Sequence, residues 1–437
     1  MEESLYQNHL AILKEEMQVA LGCTEPIAIA YAAAKAREVL GEMPTACAVY
    51  CSGNIIKNVK AVIVPNSGGR RGMDTAAILG IVGGDASREL AVLETVKPDD
   101  IQKMDALRKT SFCTCKLAEN VDNLYIRIEL TGPNHTSCVE IQQHHTNITL
   151  IKKDEHVLLK KEPAKQDVKT VGAPDRMKIS IENSIEFAEA VKIEDVKEIL
   201  DRAIQYNSAI SAEGLKGGYG AEIGKNIMNV AKETDGTSKL RLEARAAAAA
   251  GSDARMNGCA LPVVINSGSG NQGITVTMPI LVYAKAWGIS EEDRYRALVL
   301  ANLISVHQKK YIGSLSAYCG AASAATGSAC GVAYMWLKKN NALDKLYNVL
   351  CNTITNSINT IGGMVCDGAK ASCASKIGIA VENALMALQL ANTGDVFQPG
   401  EGMTMDNAEE TVKAVGRMAR EGMKSTDVEI LKIMLDE

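Results

Sequence analysis

Apolar positions follow a helical spacing at the start of the chain, give way to alternating blocks, and return to helical spacing for the long remainder. The first segment, about residues 5–39, reads as helix broken once. LAILKEEMQVALG carries an apolar stripe, meets Gly22-Cys23-Thr24-Glu25-Pro26, and IAIAYAAAKAREVLG resumes the spacing. Pro26 suits the first turn of the second helix, and Thr24 is the expected cap. Cys23 then sits at a helix break beside free N–H groups, a setting expected to favour its thiolate. The alternative is a turn cysteine in a packed core.

Residues 44–165 read as a different unit. PTACAVYCSG, NVKAVIV, NLYIRIEL, SCVEIQQ and NITLIKK are β-rich blocks, with MDTAAILGIVGG and DIQKMDALRK as helical interludes. KKEPAKQDVKTVG, over 160–172, is polar, lacks periodicity and reads as a linker. From about residue 174 the pattern is almost wholly helical, with Gly-rich breaks. The expected fold class is α+β: a mainly helical domain over 174–437 with a smaller inserted mixed or antiparallel sheet domain over 41–165. Residues 1–40 are expected to pack as helices against the helical domain.

Composition sharpens this picture in two ways. Aromatic residues make up only 4% of the 437, while Gly alone numbers 36, so close helix packing around small side chains is expected. The net charge is -5 with no extended basic arm, which weighs against a nucleic-acid partner. The acidic, polar N-terminal stretch does not resemble a signal peptide, and the apolar run at Ile274–Val282 is too short to span a membrane. A soluble, cytoplasmic protein is expected.

The 12 cysteines carry most of the candidate chemistry. A disulfide scaffold is a poor explanation in a large chain of this kind. Cys47, Cys51, Cys138, Cys259 and Cys351 read as buried thiols. Cys113 and Cys115 share one face of a strand in SFCTCKLA, with no second pair or histidine nearby in sequence. Cys366 and Cys373 lie in INTIGGMVCDGAKASCASKIG. An unbroken helix would hold them far apart, but DGAKAS offers a turn that could draw them together. They are either metal ligands or buried thiols. Cys319 is followed by Gly320 and a run of small residues, which suits either approach to a bulky group or tight helix packing. Cys330 lies later in the same run and reads as core.

Two Gly-rich segments offer binding groups. NSGSGNQG, with Ser267, Ser269, Asn271 and Gln272, could cradle a carboxylate or a sulfide, or be a structural turn. It is neither a P-loop nor a dinucleotide fingerprint. Asn66, Ser67 and Gly68 open NSGGRRG, where Arg70 and Arg71 either meet a carboxylate or are solvated. AEGLKGGYGAEIGKN is a further Gly-rich loop. His307 reads as a satisfied core histidine, and His144 and His145 do not read as a metal pair.

LGCTEP at 21–26, NSGSGNQG at 266–273, SAYCGAASAATGSACG at 316–331 and GGMVCDGAKASCASK at 362–376 together resemble the L-cysteine desulfidase family. That family includes a bacterial branch designated UPF0597 and is related to the α-domain of iron–sulfur L-serine dehydratases. The resemblance spans nearly the whole chain, in order. It implies that the helical domain is catalytic and that Cys319, Cys366 and Cys373 hold three irons of a [4Fe–4S] cluster. Cys23 would be a base or resting-state fourth ligand, and Glu25 the nearest carboxylate for proton transfer. The implied activity is PLP-independent β-elimination of L-cysteine to sulfide, ammonia and pyruvate, with a small amino acid as ligand and a homodimer as assembly. L-Serine dehydratase chemistry is the alternative within the same class. A non-enzymatic iron–sulfur redox sensor is the alternative outside it. A PLP enzyme would have to use a lysine such as Lys376 or Lys225, and neither stands in a supporting context.

Overall fold

A computed structural model describes residues 1–161, 174–313 and 315–435, so residues 162–172 of the expected linker lie outside the described residues. The fold is α+β, as the periodicity implies: a largely helical body and one mixed sheet. Eight strands are described: β1 (Val19–Leu21), β2 (Ala46–Cys51), β3 (Cys113–Leu117), β4 (Tyr125–Thr131), β5 (Thr136–Gln142), β6 (Ile148–Lys153), β7 (His156–Lys160) and β8 (Pro262–Val264). Six form a sheet in the order β3-β2-β4-β5-β6-β7. Only the β2–β3 pair is parallel. On β4 the burial alternates, with Ile126, Ile128 and Leu130 buried on one face.

Helix Thr24–Leu40 packs on that buried face against β4 and β5. Its run of alanines permits close approach. A Cβ on Gly80 of helix Met73–Gly83 would fall 2.3 Å from the Ala30 carbonyl oxygen. Helix Glu3–Glu16 instead lies against helices Ile193–Lys216 and Glu291–Ile312. The first forty residues are therefore shared between the two parts.

The helical body is packed at backbone level in several places. A Cβ on Gly214 would fall 1.9 Å from the Ala250 carbonyl oxygen, and one on Gly327 would fall 2.4 Å from that of Ala301. These contacts carry out the small-residue packing that the composition implies. Among the described residues no helix is long and apolar enough to cross a membrane.

Two local expectations are corrected, and one strand is new. The apolar stripe of LAILKEEMQVALG does not stay helical. The helix ends at Glu16, and Val19–Leu21 pairs antiparallel with Pro262–Val264, a partner far away in sequence. NVKAVIV is not a strand. Helix Gly53–Val59 covers its start, and of the rest only Ile63 makes a single bridge, to Arg71. Its Val59, Val62 and Val64 are buried as core plugs, so β-branched character here serves packing rather than a ladder. The edge strand His156–Lys160, not anticipated, exposes Val157 and Leu158, pairs with β6 and packs Leu159 against the core.

The ribbon of β1 and β8 is fixed to the body by helix Gly270–Trp287, where a Cβ on Gly273 would fall 1.9 Å from the Val264 carbonyl oxygen. We expect Gly273→Ala to lower folding stability by about 1–3 kcal/mol, since the obstructing atom is backbone. Urea unfolding measures this, and a wild-type midpoint would contradict the contact.

Candidate active site

A short antiparallel clasp assembles the thiols. Tyr318 bridges Val365, the Cys319 N–H donates to the Met364 carbonyl at 2.8 Å, and the Cys366 N–H donates to the Ala317 carbonyl at 2.6 Å. The chain then turns through Gly368 at φ +94°, where a Cβ would fall 2.3 Å from the Lys57 carbonyl oxygen. Only glycine satisfies both demands. Cys373 begins helix Cys373–Thr393, and its Sγ lies 3.7 Å from the Gly368 carbonyl oxygen. The turn at DGAKAS thus folds Cys373 back toward Cys366.

Cys319, Cys366 and Cys373 share one electrostatic environment. Burial, then the neighbouring Cys366, push the Cys319 thiol up to about 12, with Cys373 adding to the rise. Burial raises Cys373 too, and Cys366 contributes. Cys330, by contrast, is sealed in helix Ala321–Lys339, with its thiol raised by burial and by Cys351. It is Cys319, not Cys330, that lies with the other two.

Cations surround these thiols. Lys57, itself buried, donates to the Cys366 carbonyl at 3.1 Å and pairs with Asp427. Lys376 donates to the Val365 carbonyl at 2.6 Å and pairs with Asp367. Lys309 is buried, and burial pulls it down to about 8 against the opposing pull of Cys366 and Cys319. Among the described residues no three His, Cys, Asp or Glu side chains stand close enough to hold one metal ion. Thiols are soft donors of the kind that iron–sulfur clusters use. Cationic neighbours also suit thiolates.

The C-T-E-P break approaches from the other side. Cys23 packs in a small apolar group with Val62 and Met256, against Ala369 and Cys373. It caps helix Thr24–Leu40 without a side-chain capping bond, one position earlier than the expected Thr24 cap. The Thr24 hydroxyl instead donates to the Gly268 carbonyl at 3.0 Å, tying this break to NSGSGNQG. The Cys23 thiol donates to Glu25 Oε2 at 2.9 Å. Its acidity is the reverse of the expectation. Burial, and then the charge of Glu25, push the thiol well up, outweighing the helix terminus. Glu25 is held down at about 2: burial works against ionisation, but His145, Cys23 and Arg255 together outweigh it. His145 Nε2 lies 3.8 Å from Glu25 Oε1.

The expected binding residues divide. Asn266, fully buried, is fixed by Asn302 at 2.9 Å, and the Ser267 hydroxyl donates to Asn266 Oδ1 at 2.9 Å with Ser267 at φ +49°. Ser269 precedes helix Gly270–Trp287 and makes no side-chain capping bond. The buried oxygens Asn271 Oδ1 and Gln272 Oε1 have no hydrogen-bond partner among the described residues. Gln272 lies across Gly320, where a Cβ would fall 2.5 Å from its Cδ, so this segment reaches the residue after Cys319. In the other loop, the Asn66 amide donates to the Leu93 carbonyl at 2.9 Å. The Ser67 hydroxyl is engaged by the Arg70 backbone at 2.9–3.0 Å. The Gly68 carbonyl accepts from Arg70 Nη1 at 2.8 Å, and Arg70 pairs with Asp105. These groups serve the loop, which braces Cys23: a Cβ on Gly22 would fall 2.1 Å from Pro65 Cγ.

Other singled-out residues are accounted for. Cys113 is raised in part through Cys47, which faces it on the parallel partner strand. His307 pairs with Glu409 at 2.8 Å inside the body. Lys225 pairs with Glu222 at 3.2 Å. The loop of AEGLKGGYGAEIGKN reaches the cysteine turn, where a Cβ on Gly220 would fall 3.2 Å from that of Ala371. His145, Arg255 and Lys309 are what sequence reasoning missed. QQHHTN looks like a polar turn, and Arg255 and Lys309 look like surface residues of helices. No local pattern announces a polar side chain that is buried by distant parts of the chain.

The chain is similar to known proteins along nearly its whole length. Residues 87–432 match the family described as serine dehydratase alpha chain. A UPF0597 protein of Lachnoclostridium phytofermentans is 44% identical over 99% of this chain and 100% of its own. One from Treponema denticola is 40% identical over 100% of both. A third, from Finegoldia magna, is 43% identical over 99% of this chain and 100% of its own.

The state of Glu25 has a measurable consequence. A carboxyl lowered from 4.5 to about 2 by folding contributes stability that is present above pH 4.5 and is lost as pH falls toward 2. Glu25→Gln should therefore cost on the order of 2–3 kcal/mol near neutral pH. The gap to wild type should close in acid, as wild type also becomes neutral there. Paired urea unfolding curves at neutral and acidic pH measure it. A gap independent of pH would exclude the assigned charge state.

Proposed function

Because the chain belongs to the serine dehydratase alpha-chain family and to the UPF0597 proteins within reach of it, we propose that it is a lyase acting on L-cysteine at a [4Fe–4S] cluster. The products are sulfide, ammonia and pyruvate. The observation that carries the reading is the convergence of Cys319, Cys366 and Cys373 with Cys23 packed against Cys373. The three thiols would hold the cluster, and Lys309, Lys376 and Lys57 offset the negative charge collected there. When bound, the cluster supplies an open iron, a Lewis acid toward the leaving sulfur or oxygen.

The chain's own groups do the remaining work. Cys23 and Glu25 form the proton-handling pair, with Glu25 as its ionised member and His145 and Arg255 keeping it so. The α-proton passes to this pair as the bond from Cβ to the leaving atom breaks and that atom keeps the electron pair. The resulting aminoacrylate leaves as the imine and hydrolyses to pyruvate and ammonia. With the cluster bound and substrate absent, Cys23 would be the residue placed to hold the fourth iron.

L-Cysteine is the preferred substrate for a physical reason. The soft thiolate that L-cysteine releases suits iron better than the hydroxide that L-serine would release. The serine dehydratase description of the family supports L-serine as the second reading.

Protein prepared without oxygen should contain iron and acid-labile sulfide. Folded, reconstituted protein with neither would refute the cluster. Cys366→Ala and Cys373→Ala should lose cluster iron. Cys23→Ala should keep most of it while elimination falls about 100-fold or more. A fully active Cys23→Ala enzyme would remove Cys23 from the reaction. For the substrate, sulfide release from L-cysteine should exceed pyruvate formation from L-serine under identical anaerobic conditions, and a large serine preference would reverse the assignment.

A further inference from the structure

Arg255 is a buried cation without a counter-ion in contact. It stands in the last turn of helix Gly236–Met256 and is 2% exposed. Its Nε is fully enclosed and has no hydrogen-bond partner, and the guanidinium makes no ion pair among the described residues. Glu25 and Cys23 feel its charge but do not neutralise it by contact. Leaving a buried guanidinium so is costly, and such groups are ordinarily paired. Glu25 is already engaged by Cys23 at 2.9 Å.

The guanidinium lies against a second anion-attracting feature. A Cβ on Gly270 would fall 2.4 Å from Arg255 Nε and 2.9 Å from its Cζ. Gly270 is the first residue of the 18-residue helix Gly270–Trp287, whose N-cap Ser269 leaves the first-turn N–H groups without a side-chain acceptor. The absent side chain at Gly270 is what lets the guanidinium reach this terminus. A helix N-terminus and an arginine that converge on one place make a carboxylate site. In the same first turn, Asn271 Oδ1 and Gln272 Oε1 are enclosed acceptors without donors among the described residues. An α-amino acid carries both missing partners: a carboxylate for Arg255 and the helix terminus, and an ammonium for the side-chain oxygens.

We infer that Arg255 and the N-terminus of helix Gly270–Trp287 form the seat for the α-carboxylate of an amino acid substrate. The inference rests on the elimination reading for the identity of the substrate, though the seat itself is defined by charge. The adjoining Gln272 lies on Gly320, beside Cys319, and Arg255 is within electrostatic reach of Cys23. A carboxylate held here puts the rest of a small amino acid between the proton-handling pair and the thiols. Specificity then includes a demand for the free α-carboxylate, and amides or amines of the same side chain are rejected.

The test is binding of L-alanine, which has no β leaving group, to anaerobic holoprotein by calorimetry, with ethylamine as the probe lacking the carboxylate. Wild type should prefer L-alanine on the order of 100-fold. Arg255→Gln should lose that preference, and Arg255→Lys should restore part of it, with the cluster absorption unchanged in both. A wild-type protein that binds L-alanine no better than ethylamine overturns the seat even if every variant misfolds. So does an Arg255→Gln protein that binds L-alanine like wild type. Carboxylate-dependent binding without turnover of L-cysteine or L-serine would keep the seat and remove the elimination reading. Turnover with carboxylate-independent binding would do the opposite.

Discussion

Val19 opposite Val264, Ala20 opposite Val263 and Leu21 opposite Pro262 form a ribbon on which the whole site depends. Each strand runs directly into a site loop: β1 into Gly22-Cys23-Thr24-Glu25, and β8 into Asn266-Ser267-Gly268-Ser269-Gly270. The pairing continues past the ribbon, with the Ile265 N–H donating to the Gln18 carbonyl at 2.9 Å. A slip of one residue would turn every side chain to the opposite face and break the contact from Thr24 to Gly268. Register here therefore sets how Cys23 and Glu25 stand relative to the N-terminus of helix Gly270–Trp287. Gly273 locks the register, because no larger residue lets its helix approach Val264 so closely.

The same region gathers buried ionisable groups that a stable core would avoid: Cys23, Glu25, His145, Arg255 and Lys309. Each loses hydration, and their mutual fields decide which stay charged. Glu25 is held low because His145, Cys23 and Arg255 outweigh its burial, and Cys23 is raised because burial and Glu25 act in the same direction. Such an arrangement is held in place by the surrounding helices, whose alanine and glycine faces meet backbone to backbone. Rigid packing nearby and unpaired charge within are complementary. The first keeps the second from relaxing into contacts that would neutralise it.

The junction is also where the two parts of the fold meet. His145 comes from the turn after β5 of the sheet, and Glu25 from the helix that covers that sheet. Arg255, Gln272 and the three thiols come from the helical body. Lys57, from the short helix after β2, joins the Cys366 carbonyl to Asp427 of the last helix, Lys424–Leu435. Relative placement of sheet and body thus bears directly on how Glu25, His145, Arg255 and the thiols meet.

Sequence alone determined the α+β class, the helical body, most sheet strands and the family, because periodicity and ordered motifs are local properties of the chain. It also singled out Cys23, Cys319, Cys366 and Cys373, and small neighbours such as Gly320 favoured Cys319 over Cys330. Tertiary structure decided the rest. Val19–Leu21 continues an apolar helical stripe, and only a partner more than two hundred residues away makes it a strand. The loop at Asn66, Ser67 and Gly68 looks like NSGSGNQG in composition. Only the spatial hydrogen-bond partners show that its Asn66 and Ser67 side chains are satisfied within the protein, while Asn271 and Gln272 retain enclosed unpaired oxygens. The acidity of Cys23 reversed for the same reason. A helix terminus is a local effect, but desolvation and the field of Glu25 act through space, and burial strengthens them beyond what the local sequence conveys.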